Sequence, residues 1–422
     1  MRNLRVILSA ATASLIAATA TAQSAETVTM AMHYTEEQAA PLLACIARYE
    51  TANPGVDIVY QQVSYEEYLQ TILTARAGGK SPDIYNLYST WGTQLVDNDL
   101  LAPAPENVTK YLAEQYLPDT VAAATIDDTV WGIPTEVSAY MLVSNMKLMR
   151  AAGFEKPPTT WDDLVKMSKA ITTRDEQGRV KIAGFAFAKS SSGAGLVHPF
   201  YSLMFSLGQK LYEDGFKVAN FGGDAAQKTS EQMAMMVSEK VTDLSVDAYD
   251  FPAGGIAMMV MANWFKSDLK TGLGAGFSDV QVSQIPAGAN WKTLQYAFYM
   301  GVDSNSPVKD RAWDIVRWTN SPESAATAGG VSCVGQMMDN LGALTANRAD
   351  RVALGEMDAF TQPYWDALQT GRAVSLPNVL QATEIERGIA KTLETVIVGA
   401  AKPETALPEL NSQIEKILAE FY

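Results

Sequence analysis

The sequence predicts an α/β protein of two domains, each a mainly parallel sheet flanked by helices, joined by strands that cross between them. Three observations carry this. Residues from Val28 to Tyr88 run strand, helix, strand, helix, strand with short connections, the order that builds a parallel sheet. A similar α/β stretch recurs between Lys156 and Asn320. The chain has 422 residues, too many for one core. No Gly/Ser-rich or Pro-rich tether separates two beads, so the chain must pass between domains in ordered segments.

The first 22 residues are expected to lie outside the fold. Arg2 and Arg5 precede an apolar stretch, Val6 to Ala18, and Ala20-Thr21-Ala22 is a small-x-small cleavage site. This is a secretory signal, cleaved near Ala22; a membrane span would need more apolar length. No cysteine follows the site to take a lipid, so a periplasmic protein is expected. Without Arg2 and Arg5 the chain carries 47 acidic and 30 basic side chains, a net charge of −17. Such a surface repels nucleic acid and anionic lipid, and no later apolar run is long enough for membrane insertion. A monomer is expected.

Val28 to Tyr34 is rich in strand formers. Thr35 and Gln38 form a capping box, and Ala39, Leu42, Leu43, Ile46 and Ala47 form one helical face. Asn53-Pro54-Gly55 stops that helix. Val56 to Val63 is the second strand. Ser64 and Glu67 make another capping box, and Tyr65, Tyr68, Leu69, Ile72 and Leu73 face inward from the second helix. Gly78-Gly79 ends it, and Asp83 to Tyr88 is the third strand. Later, Thr160-Trp161-Asp162-Asp163 opens a helix, Ile182 to Phe187 and Ile256 to Ala262 read as strands, and Arg311 to Asn320 and the C-terminal segment read as helices.

Cys45 and Cys333 are the two cysteines. An oxidising compartment allows them to pair, but two buried thiols fit the sequence equally. His33 and His198 are the two histidines. No metal-binding spacing and no cofactor motif accompanies them, so neither metal nor cofactor is expected.

Five segments resemble, in order, the extracellular solute-binding proteins of ABC importers, in the carbohydrate-binding, maltose-binding-protein-like group. They are Tyr49-Glu50-Thr51-Ala52-Asn53-Pro54-Gly55-Val56, then Ala77 to Ile84 with its Gly-x-x-Pro-Asp turn, then Val130-Trp131-Gly132-Ile133-Pro134 with Leu142-Val143-Ser144-Asn145. Ala257-Met258-Met259 with Asn263-Trp264 and Val302 to Pro307 with Ala312 and Trp318 complete the set. The resemblance implies a two-lobed periplasmic-binding-protein fold with three hinge crossings. Lobe one would be 23–137 and 297–345, and lobe two 138–296 and 346–422. Both cysteines then fall in lobe one, which admits a disulfide. It also implies no enzyme: a carbohydrate-like ligand is closed between the lobes and passed to a membrane permease.

In parallel sheets ligands sit beyond the carboxyl ends of the strands. Sugars offer C–H faces to aromatic rings and hydroxyls to fixed polar groups. The expected contacts from lobe one are therefore His33, Tyr34, Ser64, Tyr88, Ser89 and Trp91. At the first crossing they are Glu136, where the resemblance places an acidic contact, and Ser138, which sits closer to the equivalent position. Ser192 and Gly193 supply donors from a small flexible loop, and Trp264 matches the stacking Trp of the family. Tyr296 and Phe298 stand where many relatives carry a glycine pair. Arg372 precedes a Pro-containing segment expected to enter the cleft. Those aromatics, and Glu384-Ile385-Glu386 in place of a stacking aromatic, shorten the expected ligand to a mono- or disaccharide or a derivative. A polyol, sugar acid, sulfonated sugar or polyamine in the same fold is the alternative. A secreted glycosidase would need two facing carboxylates, which nothing in the sequence pairs.

Overall fold

The computed structural model describes residues 25–116, 118–189, 195–242, 245–327 and 329–422; the expected signal segment lies outside them. The chain opens as β1 (Glu26–Met32), α1 (Ala40–Ala52), β2 (Val56–Gln62), α2 (Tyr68–Ala77) and β3 (Ile84–Tyr88). β1 pairs in parallel with β2 from Glu26↔Val56 to Met32↔Gln62, and with β3 at Met30↔Ile84. In β2, Val56 and Ile58 are buried while Asp57 and Val59 face out, the period of a half-covered strand.

The first capping box is present. Thr35 N–H donates to Gln38 Oε1 at 3.0 Å, and Gln38 N–H to Thr35 Oγ1 at 3.2 Å. The second is not. Tyr65 to Glu67 forms a 3₁₀ turn in which Glu67 N–H bonds the Ser64 backbone carbonyl, and the Ser64 side chain caps nothing. The tighter turn supplies the acceptor that the hydroxyl was expected to provide.

The centre of the molecule is β4 (Ile133–Asn145), thirteen residues long and buried throughout. Its first half pairs antiparallel with β7 (Thr293–Asp303). Its second half pairs antiparallel with β5 (Met258–Ala262) and β6 (Val280–Ser283). The other edge of β7 takes β3, from Phe298↔Tyr88 to Val302↔Ile84. The two halves of the molecule are thus stitched into one mixed sheet, ordered β5-β4-β7-β3-β1-β2. Leu344 and Thr345 add a third crossing against Val137 and Glu136.

Ile182 to Phe187, read as a strand, is only partly one. Beyond Ile182 it makes single parallel bridges, Ala183↔Ile256 and Ala186↔Met259. Gly184 lies against the backbone of Ser168, where any Cβ would collide, so this stretch is shaped by the helix Trp161–Ile171 as much as by the sheet. That helix is capped as expected, with Thr160 Oγ1 accepting from Asp163 N–H at 3.2 Å. Lys309–Thr319 and Pro403–Leu418 are helices as expected.

Two buried aspartates knot the first half. Asp83 accepts from Thr29 N–H at 2.8 Å and from Ser306 Oγ at 2.7 Å. Asp303 accepts from Arg76 at 2.9 Å and from the Tyr85 hydroxyl. These bonds hold β1, β3, α2 and the end of β7 in one register.

Cys45 of α1 and Cys333, the first residue of the helix Cys333–Leu341, form a disulfide with Cα atoms 6.0 Å apart. Both are fully buried. The bond closes a loop across a sequence separation of 288, for which the chain-entropy relation gives an upper value of ~5–6 kcal/mol. The Cys45→Ala/Cys333→Ala protein is expected to melt measurably below wild type. Dithiothreitol should lower the wild-type Tm and leave the variant unmoved. Equal melting of the two under oxidising conditions would contradict a stabilising bond.

Candidate functional site

Where β4 and β7 cross, the sheet is irregular. Val137 faces Ala297 and Pro134 faces Tyr299, so one extra residue of β4 is accommodated between them. Such bulges re-aim side chains. Here it lies at Thr135 and Glu136, and Glu136 lines a cavity of about 220 Å³. Tyr140 of β4 and Tyr296 and Phe298 of β7 share that cavity.

Seven of the expected contacts meet there: His33, Tyr34, Tyr88, Glu136, Trp264, Tyr296 and Phe298. His33 and Tyr34 follow β1, Tyr88 ends β3, and Trp264 follows β5. The carboxyl-end rule accounts for His33, Tyr34 and Tyr88, and the family resemblance points to Glu136, Trp264, Tyr296 and Phe298. Tyr34 donates from its hydroxyl to Glu136 Oε2 at 2.6 Å, and Ser138 donates from its own to Oε1 at 2.7 Å. Ser138 thus touches the site through Glu136.

The other expected contacts lie elsewhere. Ser64 is exposed. Ser89 lines a separate cavity of about 470 Å³ with Val137, Gln295 and Ala297. Trp91 stacks on Tyr68, with centroids 5.3 Å apart, and lines a groove beside α2. Arg372 donates to the carbonyls of Ala289 and Trp291, both at 3.1 Å, and lies over the Trp291 ring. Those bonds staple a turn, and Arg372 is not among the residues that line the cavity. Ser192 and Gly193 fall outside the described residues.

Four further aromatic groups complete the lining: Tyr65, Tyr140, His198 and Tyr249. Tyr140 continues the alternation of Glu136 and Ser138, so its position was legible. Tyr65 follows β2 directly, but its helical spacing pointed to a core role. His198 sits in the first turn of the helix Val197–Ser206. Its Nδ1 meets the Tyr140 hydroxyl at 2.8 Å, and its Nε2 meets the Tyr88 hydroxyl at 3.3 Å and Glu386 Oε1 at 3.7 Å. Nothing in the spacing marked Tyr249. Gln38, Glu66 and Leu341 close the rim.

Burial shapes the ionisation of the site. Desolvation raises the carboxyl of Glu136 above its ordinary range, and the two hydroxyl donors pull it back only in part. Desolvation among aromatic rings lowers His33 to about 3; its ring lies 4.6 Å from that of Phe298. Among the described residues no group of side chains is arranged to hold a metal ion.

Because the folded carboxyl of Glu136 keeps its proton to higher pH than the unfolded one, its contribution to stability falls as pH rises above about 4.5. His33 acts in the opposite sense: its depressed value removes stability as pH falls from about 6.5 towards 3. Glu136→Gln leaves the contribution of His33, which comes from burial, in place. Relative to that variant, wild type is therefore expected to lose Tm as pH rises above about 4.5. A difference in Tm independent of pH would contradict the raised carboxyl.

A binding protein of Brucella abortus (strain 2308) is 21% identical over 388 residues, 88% of each chain. The erythritol/L-threitol-binding protein of Mycolicibacterium smegmatis is 26% identical over 218 residues, 48% of this chain and 43% of that one. Among solved structures, the solute-binding protein of an ABC transporter from Thermotoga lettingae, bound with α-D-tagatose, superposes with a TM-score of 0.82. It is 19% identical, over 93% of this chain and 100% of that chain, and so shares the two-lobed fold. The family model for bacterial extracellular solute-binding proteins matches residues 34–326, and the chain belongs to that family.

Proposed function

We propose that this protein is the substrate-capturing component of an ABC importer, closing two lobes on a single small carbohydrate or polyol. The observation that carries the reading is the lined cavity at the crossing of β4 and β7, with a buried carboxylate set among aromatic rings. Its volume of about 220 Å³ lies below the ~300–1,000 Å³ of drug-sized pockets. That suits one sugar ring or a short polyol better than an oligosaccharide. The relatives bound to, or named for, a ketohexose and four-carbon polyols are consistent with that size.

The lobes are proposed as 23–137 with 297–345 and 138–296 with 346–422. The pairing of Val137 with Ala297 and of Ser138 with Tyr296 supports a boundary at this level of the sheet. Ligand bridging the lobes would select the closed form by contacting both. Delivery to a permease, release to the periplasm after signal cleavage and a monomeric state belong to the same reading. The family and its similar proteins are binding proteins, and no turnover is expected.

A thermal-shift panel of monosaccharides, tetritols to hexitols and disaccharides tests this. One monosaccharide or polyol is expected to stabilise the protein by ~2.7 kcal/mol at a hundredfold excess over Kd. Trp264→Ala should remove the shift without unfolding the protein. Stabilisation by long oligosaccharides alone, or hydrolysis of a glycoside lost in Glu136→Gln, would overturn the reading.

A further inference from the structure

The polar corner of the cleft is made of acceptors. The Tyr34 hydroxyl spends its hydrogen on Glu136 Oε2, and the Ser138 hydroxyl spends its hydrogen on Oε1. What the carboxylate, which lines the cavity while Ser138 stands behind it, still presents is lone pairs. A ligand that reaches this corner must bring the hydrogens.

The charge around it has one sign. Glu136 is 2% exposed. Glu66 is on the rim, and Glu386 lies 3.7 Å from His198 at the edge. No lysine or arginine lines the cavity among the described residues. The internal residues outside the description, at 117, 190–194, 243, 244 and 328, include none either. Arg387 belongs to the neighbouring groove beside α2, where Glu66, Glu384 and Glu386 accompany it. His33 is kept neutral by its burial, so it supplies no positive charge. A buried carboxylate without a countercharge is costly, and the protein offers none at this point.

The remaining walls are ring faces and edges. Tyr88 and Tyr296 meet at 5.4 Å, Tyr65 and Phe298 at 6.3 Å, and Tyr249 and Trp264 at 6.4 Å. Aromatic walls attract a cation through the ring quadrupole, by ~0.5–2 kcal/mol per contact depending on desolvation. They give an anion no such attraction.

Building on the capture reading, we infer that the ligand is a small hydroxylated amine, an amino sugar or amino polyol. Its ammonium group is set against Glu136 and enclosed by the aromatic rings. The ammonium supplies both the missing hydrogens and the missing charge in one group. Its hydroxyls meet Tyr, His and Gln groups around the rim. A sugar acid or sulfonated sugar would place like charges together and leave the acceptor corner unmet.

Two matched series test this by titration calorimetry on the full-length mature protein: glucose, glucosamine and glucuronate; and glucitol, glucamine and gluconate. The amine of at least one series is expected to bind roughly tenfold or more tightly than its neutral counterpart, with the acid weakest. Glu136→Gln should reduce that preference towards unity. Glu386→Gln, at the cleft edge, should reduce it less and guards against a folding defect at the centre. Neutral or acidic members that bind as tightly as the amines would overturn the ammonium assignment and leave the capture reading standing. Binding by no member of either series, while a sugar or polyol of the thermal-shift panel does stabilise the protein, would likewise overturn the ammonium assignment and leave the capture reading standing.

Discussion

The burial of Glu136 at the crossing of β4 and β7 is the constraint on which the rest of the site depends. A carboxyl in that position must have partners, and its partners come from different parts of the chain. Tyr34 arrives from the end of β1, while Ser138 comes from two residues along β4 itself. To bring Glu136 to the cavity, β4 accepts a bulge. The first half of the molecule must then hold β1 and β7 in fixed register, and the Asp83 and Asp303 knots do this. A polar group that is expensive to bury therefore reaches back through the hydrogen-bond pattern to residues far from the cleft.

Much of the architecture was legible because the first third of the chain obeys simple periods. The α1 face and the alternation of β2 each point inward on one side only, and short connections leave little freedom in topology. The site was legible where geometry is imposed by topology: His33, Tyr34 and Tyr88 stand at strand ends, where a parallel sheet places its ligands. It was less so where a residue type serves two purposes. Tyr65 carries helical spacing and cavity lining at once. Trp91 is aromatic and near the rim, yet it packs on Tyr68 instead. Arg372 has the chemistry to bind a ligand, but the carbonyls of Ala289 and Trp291 reach it first. Side-chain direction in turns depends on contacts that no periodic pattern encodes.

The crossing strands also explain why the two faces of the waist differ. Residues alternate along β4 and β7, so Glu136 and Phe298 turn towards one cavity while Val137 and Ala297 turn towards the other. The first side is aromatic and carries a carboxylate. The second mixes Trp365 and Leu368 with Arg348, Arg351 and the amide of Asn347. One strand pair thus supplies a wall to each of two cavities, and Tyr296 lines both.

The Cys45–Cys333 bond has a consequence for a protein exposed to proteases. The chain leaves the first half through β4 and returns through β7, and both passages fall between the bonded cysteines. Residues 46–332 therefore belong to a covalent ring. A single cut anywhere in that ring, including any exposed turn of the second half, opens the ring without releasing a fragment. The nicked protein keeps every strand of its central sheet covalently attached where an unbridged chain would be cut in two.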